Sequence, residues 1–201
     1  LVVYFSITKW TTFQLYYTQL DNRLEEFFAG RIPFERIAAY TYFVKGGSVQ
    51  HIVHELKYKN NPDIGNLIGR LCGEDMKGCA FLSPIDYLVA VPLHRKRERT
   101  RGYNQSIEIC KGISEKTGIP IDSSTLVRLV NNSSQTKHSR FDRWSNVDGI
   151  FGLTDNNAFK GKHILLVDDI ITTGSTLEAC AKEILKAEGS KISIFAFGTA
   201  N

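Results

Sequence analysis

Residues 164–176, Ile-Leu-Leu-Val-Asp-Asp-Ile-Ile-Thr-Thr-Gly-Ser-Thr, constrain the fold more than any other stretch of the chain. Four apolar residues, 164–167, predict a buried strand that ends on two adjacent carboxylates, Asp168 and Asp169. A polar turn with one glycine follows, and Leu177, Cys180, Ala181, Ile184 and Leu185 then recur at helical spacing. Strand, turn and helix N-terminus make an anion site, because backbone N–H groups and the helix dipole point at the turn. Gly174 allows close backbone approach, and Thr172, Thr173, Ser175 and Thr176 add hydroxyl donors around it.

The acidic pair separates this turn from other phosphate loops. Carboxylates beside a phosphate repel it, so their expected partners are neutral sugar hydroxyls or a hard cation bridging to the ligand. No lysine follows Gly174 as a Walker loop requires, and no Gly-x-Gly-x-x-Gly is present here. A plain turn capped by Thr173 or Ser175 would leave two aspartates at the end of an apolar strand without a purpose.

The other segments support an α/β fold. Strands are expected over 37–44, 87–93, 126–130 and 192–197. Helices are expected around Val49, Ile52, Val53 and Leu56, from Pro62 onward, and over 104–118 with Gly118 at the end. Continuous apolar strands alternating with helices indicate a mostly parallel twisted sheet covered on both faces. Ligands in such sheets bind at the strands' carboxyl ends, which brings the loops after Val91 and Val167 to one edge.

At 201 residues, with 42% hydrophobic and 23% charged, the chain can bury a core, and neither disorder nor a membrane bundle is expected. The opening apolar run, 1–5, is too short to span a bilayer or to act as a secretory signal, so a cytoplasmic location is expected. Cys110 and Cys180 fall on apolar helix faces, and Cys72 with Cys79 fits no zinc ribbon. The net charge of +4 resides in residues 94–101, which hold five basic side chains and one acidic; the remainder is 20 basic against 20 acidic. One local basic loop is expected, not a general polyanion surface. Within it Pro92, Leu93, His94, Arg95 and Lys96 leave a strand end, and arginine suits phosphate oxygens through its planar fork. His51, His54 and His163 are expected to be ordinary packing or surface residues.

The 164–176 stretch resembles the phosphoribosyl pyrophosphate (PRPP) motif of type I phosphoribosyltransferases. Val-Pro-Leu-His at 91–94 with Arg-x-Arg-Gly-Tyr-Asn-Gln at 99–105 narrows the resemblance to the ComF (competence protein F) and GntX family. Gln135, Ser139-Arg140, Arg143-x-x-Asn146 and Gly149-Ile-Phe151 are similar to that family too, as are Gly30-Arg31-Ile-Pro33 and Gln50-x-x-x-His54-x-x-Lys57-Tyr58. The resemblance covers roughly residues 22–200.

It implies that Asp168 and Asp169 hold the ribose hydroxyls and that Thr172, Thr173, Gly174, Ser175 and Thr176 cradle the 5′-phosphate. Residues 92–96, Arg95 above all, would take the pyrophosphate, making Asp168, Asp169 and Arg95 the residues expected to carry the chemistry. Mg²⁺ is expected with PRPP, held through the ligand with Asp168 or Asp169 as the only direct candidates. The polar stretch 131–149, with Gln135, Lys137, Arg140, Arg143 and His138, is expected to be a flexible hood that excludes water. In 6-oxopurine members of the superfamily an acidic residue stands where this chain has Thr172, which argues against hypoxanthine or guanine as acceptor. Family members usually begin with a four-cysteine zinc finger, but residues 1–30 hold no cysteine, so zinc is not expected. Either the finger is lost or it lies before Leu1. The expected organisation is an irregular N-terminal segment, 1–30, and a phosphoribosyltransferase-like domain, 31–201. Two other readings stay open: a non-catalytic competence or DNA-uptake factor meeting single-stranded DNA or the competence machinery, and a PRPP-responsive regulator.

Overall fold

A computed structural model describes residues 23–43, 46–59, 61–129 and 149–200. In chain order the elements are α1 (Arg23–Phe28), β1 (Arg36–Tyr42), α2 (Ser48–Tyr58), α3 (Pro62–Met76), β2 (Tyr87–Ala90), α4 (Arg95–Arg101) and α5 (Gln105–Thr117). There follow β3 (Ile121–Asp122), β4 (Leu126–Arg128), β5 (Phe151–Leu153), β6 (His163–Ile171), α6 (Ser175–Ile184) and β7 (Lys191–Thr199). Five strands form one parallel sheet in the order β1-β7-β6-β2-β3, while β4 and β5 make a separate antiparallel ribbon. The α/β architecture expected from the sequence is the one observed.

Alternation along the central strands builds two cores. Ile164 and Leu166 of β6, with Ile192 and Ile194 of β7, pack against Leu177, Cys180 and Ile184 of α6, Phe28 of α1 and Phe151 of the ribbon. Leu165 and Val167, with Phe195 and Phe197, face Leu56 of α2, Cys72 and Met76 of α3, and Ile109 and Ile113 of α5. Each central strand is apolar on both sides because each side has helices to cover it. Cys72, Cys110 and Cys180 are buried as reduced thiols in these cores.

Local signals set most boundaries. Pro62 opens α3 at a position where its missing N–H costs nothing, and Gly118 closes α5 in the left-handed conformation at φ 76°. Pro92 ends the pairing of β2, whose last ladder bond runs from the Val91 N–H to the Val167 carbonyl.

Three elements differ from the sequence reading. β6 runs nine residues and carries Asp168 and Asp169 inside it, because β7 continues alongside and pairs Asp168 with Ala196 and Ile170 with Gly198. The basic stretch is a helix, α4, and not an open loop: Arg, Lys and Glu are good helix formers, and Glu98 N–H donates to the His94 carbonyl. The described part of the N-terminal segment is also helical over Arg23–Phe28, and Phe28 is fully buried in the first core. Gln135, Lys137, His138, Arg140 and Arg143 lie outside the described residues.

Candidate functional site

The carboxyl edge of the sheet brings together the end of β6, the exit of β2, the start of α5 and the start of α6. β2 and β6 are direct neighbours, with Ala90 beside Val167. The turn after the acidic pair and the residues leading into α4 therefore leave the sheet side by side, as the sequence predicts.

The two aspartates are treated differently by their surroundings. Pleating sends them to opposite faces of β6. Asp169 is 8% exposed and pairs with Lys57 Nζ of α2 at 3.0 Å. Asp168 accepts hydrogen bonds from Ser106 Oγ at 3.1 Å and from the Asp169 backbone N–H at 2.9 Å. Burial and then the neighbouring Asp169 charge raise the Asp168 carboxyl well above the usual aspartate range, against the lowering effect of those hydrogen bonds. A largely enclosed, negatively flanked carboxyl that is hydrogen-bonded but not ion-paired has its charged form favoured by any further donor or cation brought to it.

Ser106 is placed by the entry to α5. Asn104 caps that helix by accepting from the Ser106 N–H at 3.0 Å, and its Nδ2 donates to the Val91 carbonyl at 3.0 Å. One asparagine thus ties the end of β2 to the helix that carries the partner of Asp168. Tyr103 Oη donates to the Leu56 carbonyl, linking the same turn to α2 one residue before Lys57. Arg101 is engaged inside the protein, donating to Gln105 Oε1 at 2.8 Å with its guanidinium 5.7 Å from the Tyr58 ring centroid. It is therefore not the open phosphate ligand that its place in a basic stretch suggests.

Beyond β6 the chain turns through Thr172, Thr173 and Gly174 into α6. Thr172, Thr173, Ser175 and Thr176 are exposed, and α6 starts at Gly174 with no side-chain cap. Gly174 has φ 67°, and a Cβ there would lie 2.5 Å from Phe28 Cζ. The glycine is thus required by backbone conformation and by the aromatic beneath it, in addition to any need for approach from outside. Arg31 holds the turn from the other side: it donates to Glu178 Oε2 at 3.0 and 2.6 Å and to the Thr173 carbonyl at 3.1 Å. Its guanidinium also lies 4.8 Å from the Phe27 ring centroid. Glycine, hydroxyls and an uncapped helix start form a cradle for a dianion.

The model of the phosphoribosyl transferase domain matches residues 73–199. The chain belongs to the phosphoribosyltransferase family. DNA utilization protein YhgH of Salmonella typhimurium is 28% identical over 166 residues, covering 81% of this chain and 71% of that protein. Competence protein F of Haemophilus influenzae is 29% identical over 153 residues, covering 74% of this chain and 67% of its own length. These relatives place it in the ComF-type branch. A solved glutamine phosphoribosylpyrophosphate amidotransferase from B. subtilis superposes with a TM-score of 0.46 at 19% identity, over 72% of this chain and 30% of its own.

In this phosphoribosyltransferase domain the sequence reading found Asp168, Asp169, the 172–176 turn and the 92–96 exit, and these share one edge. It did not single out Lys57, Ser106, Asn104 or Arg31 as site residues. Lys57 and Arg31 stood inside stretches recognised only as similar to the family, and no local pattern signals that a lysine on one helix meets a carboxylate 112 positions later in the chain. Among the described residues no group of three His, Cys, Asp or Glu side chains could hold a metal, and no helix is long and apolar enough to cross a membrane.

Proposed function

We propose that the protein binds PRPP, or a closely related sugar phosphate, with Mg²⁺, and that it transfers the 5-phosphoribosyl group. The observation that carries this reading is the continuous path from two carboxylates at the end of a buried strand into an uncapped glycine turn at a helix N-terminus. A phosphate fits the turn, and hydroxyl groups one sugar ring away fit the carboxylates.

In this reading Asp168 and Asp169 accept hydrogen bonds from the ribose hydroxyls, and residues 172–176 hold the 5′-phosphate. Lys57 shares its charge between Asp169 and the ligand, while Ser106 orients Asp168. Arg95 and Lys96, at the start of α4, would take the leaving pyrophosphate. Two carboxylates alone suit Mg²⁺ bound mainly through ligand oxygens and water, one or two protein oxygens being its usual share. The metal would neutralise charge that develops on pyrophosphate as the anomeric bond breaks.

Isothermal calorimetry with PRPP and Mg²⁺ tests binding, and pyrophosphate release with a panel of bases tests turnover. No heat with PRPP would sink the reading; binding without release with any base would reduce it to a PRPP-responsive regulator. A second reading is a non-catalytic competence or DNA-handling factor. The names of the relatives and the exposed Arg97 and Arg99 of α4 support it. Binding of single-stranded DNA with a salt slope that flattens when Arg97 and Arg99 are neutralised would favour it.

A further inference from the structure

We infer that Tyr58, at the end of α2, is the surface on which a planar nucleobase stacks when its ribose 5-phosphate occupies the neighbouring site. This rests on the sugar-phosphate reading above and names the chemical class of the group beyond the sugar. It also places that group on α2 (Ser48–Tyr58), which lies outside the matched residues 73–199.

The stretch Gln50-x-x-x-His54-x-x-Lys57-Tyr58 divides its work around the helix. Gln50 Oε1 accepts from the Gly46 N–H at the entry to α2, and Lys57 pairs with Asp169. Val53 and Leu56 are buried in the second core. His54 and Tyr58, four residues apart and so on one side of the helix, do none of this. Tyr58 is 67% exposed and packs in neither core.

Its neighbours set Tyr58 apart from a stray surface ring. The His54 ring lies 4.9 Å from it between centroids at an interplanar angle of 44°, and the Arg101 guanidinium sits over it at 5.7 Å. Arg101 is fixed in turn by donating to Oε1 of Gln105, a residue only 2% exposed. That acceptor is a neutral amide and not a carboxylate, so the cation stays available to the ring. Imidazole, phenol and guanidinium together make an ordered π surface at the protein's exterior.

Both supports of the ring lead to the carboxylates by direct contact. Lys57, the residue before Tyr58, reaches Asp169 at 3.0 Å. Gln105, which holds Arg101, is the residue before Ser106, whose Oγ donates to Asp168 at 3.1 Å. Tyr103 Oη donates to the Leu56 carbonyl and ties α2 to the same turn. The exposed ring is therefore anchored beside the two aspartates from two helices.

The ligand chemistry follows from the ring. Every nucleobase has a π face that stacks on an aromatic side chain, whereas a pyrophosphate or a sugar has none and gains little from one. Tyrosine offers that area at low entropic cost because its ring turns on two torsions only. One phenol ring suits the base of a single nucleotide, since a strand requires successive rings along a groove.

The test is calorimetry on the parent, Tyr58→Ala and Tyr58→Phe, with ribose 5-phosphate and the 5′-monophosphates of adenosine, guanosine, cytidine and uridine. At least one monophosphate is expected to bind the parent about tenfold more tightly than ribose 5-phosphate. Tyr58→Ala should remove most of that gain and leave ribose 5-phosphate within twofold. Tyr58→Phe should keep the gain, because the ring and not the hydroxyl stacks. Neither change touches a core, so both variants should melt with the parent. Should Tyr58→Ala melt lower, Tyr58→Leu, which keeps bulk without a π face, decides by the same readout. Monophosphate affinity unchanged in Tyr58→Ala overturns the inference, as does a parent that binds ribose 5-phosphate but no monophosphate more tightly. Oligothymidylate binding lost in Tyr58→Ala with every monophosphate unaffected overturns it in favour of a strand-binding surface. If the parent takes neither ribose 5-phosphate nor PRPP, the sugar reading fails by itself and the free bases decide. Base binding lost in Tyr58→Ala then upholds the stacking surface, and no base binding sinks it.

Discussion

The α3–α5 helix pair and the end of β6 both depend on glycine, for opposite reasons. Where α3 crosses α5 the backbones touch: a Cβ on Gly69 would lie 2.1 Å from the Ile109 carbonyl oxygen, and one on Gly112 would lie 2.2 Å from that of Asn66. Those glycines have ordinary helical backbone and are needed only for closeness. Gly174 stands at φ 67° in a turn whose hydroxyls are exposed. The helix pair packs backbone on backbone, and among the described residues neither helix holds a buried side-chain polar atom without a partner. The end of β6 holds an enclosed carboxyl, Asp168, raised in pKa, and an uncapped helix start. One region is closed by packing, and the other presents exposed hydroxyls beside a carboxyl whose neutral form burial favours.

That contrast can be broken most strongly at the acidic pair. Asp168→Asn with Asp169→Asn should remove most PRPP affinity, since each charge-assisted hydrogen bond to a ribose hydroxyl is worth about 1.5–3 kcal/mol. Calorimetry on the folded double variant checks this, and parent-like binding would remove the ribose assignment. Next in size, Gly69→Ala should cost about 3 kcal/mol of stability, read as a lower urea midpoint, because the new methyl meets backbone that cannot yield. If Gly69→Ala is neutral, the helix pair is not the rigid half of the comparison.

Gly174→Ala should lose roughly 1–2 kcal/mol through its left-handed backbone, with a further strain against Phe28. Its effect on ribose 5-phosphate binding should exceed its effect on pyrophosphate binding, because only the former uses the turn. Equal losses would mean that the turn merely supports the fold.

The pH dependence is a smaller effect and the sharpest. The folded Asp168 carboxyl keeps its proton to about pH 7, whereas an unfolded aspartate releases it at about 4. Unliganded stability is therefore expected to fall as pH rises through that window, the unfolded state ionising more easily than the folded one. Asp168→Asn should remove this slope and raise the melting temperature at pH 8 by a few degrees, while weakening ligand. PRPP affinity should rise over the same window as the carboxylate forms. A melting temperature lowered by Asp168→Asn at pH 8 would contradict the picture of a site held at a cost. The smallest effect is expected from Arg31→Ala, about 1 kcal/mol, since its ion pair with Glu178 is half-exposed. It should appear in phosphate affinity more than in the urea midpoint.

The candidate site was legible in sequence wherever chemistry is local. Asp168 to Thr176 are contiguous, so strand, turn and helix start could be read from period and residue type alone. Gly118 and Pro62 fixed helix ends for the same reason. The basic stretch folds as a helix where its charge suggests an open loop, because Arg, Lys and Glu are good helix formers, and β6 outruns its apolar stretch because its last pairs depend on β7.

The sequence by itself therefore determined the α/β class, the glycine turn after the acidic pair and the location of the net positive charge. Periodicity and turn chemistry act within a few residues and need no partner. Only the tertiary structure decided that Lys57 pairs with Asp169, that Ser106 donates to Asp168, and that Arg31 and Phe28 brace the turn at Gly174. Those partners lie tens of residues apart along the chain, and strand order with side-chain direction sets which of them meet.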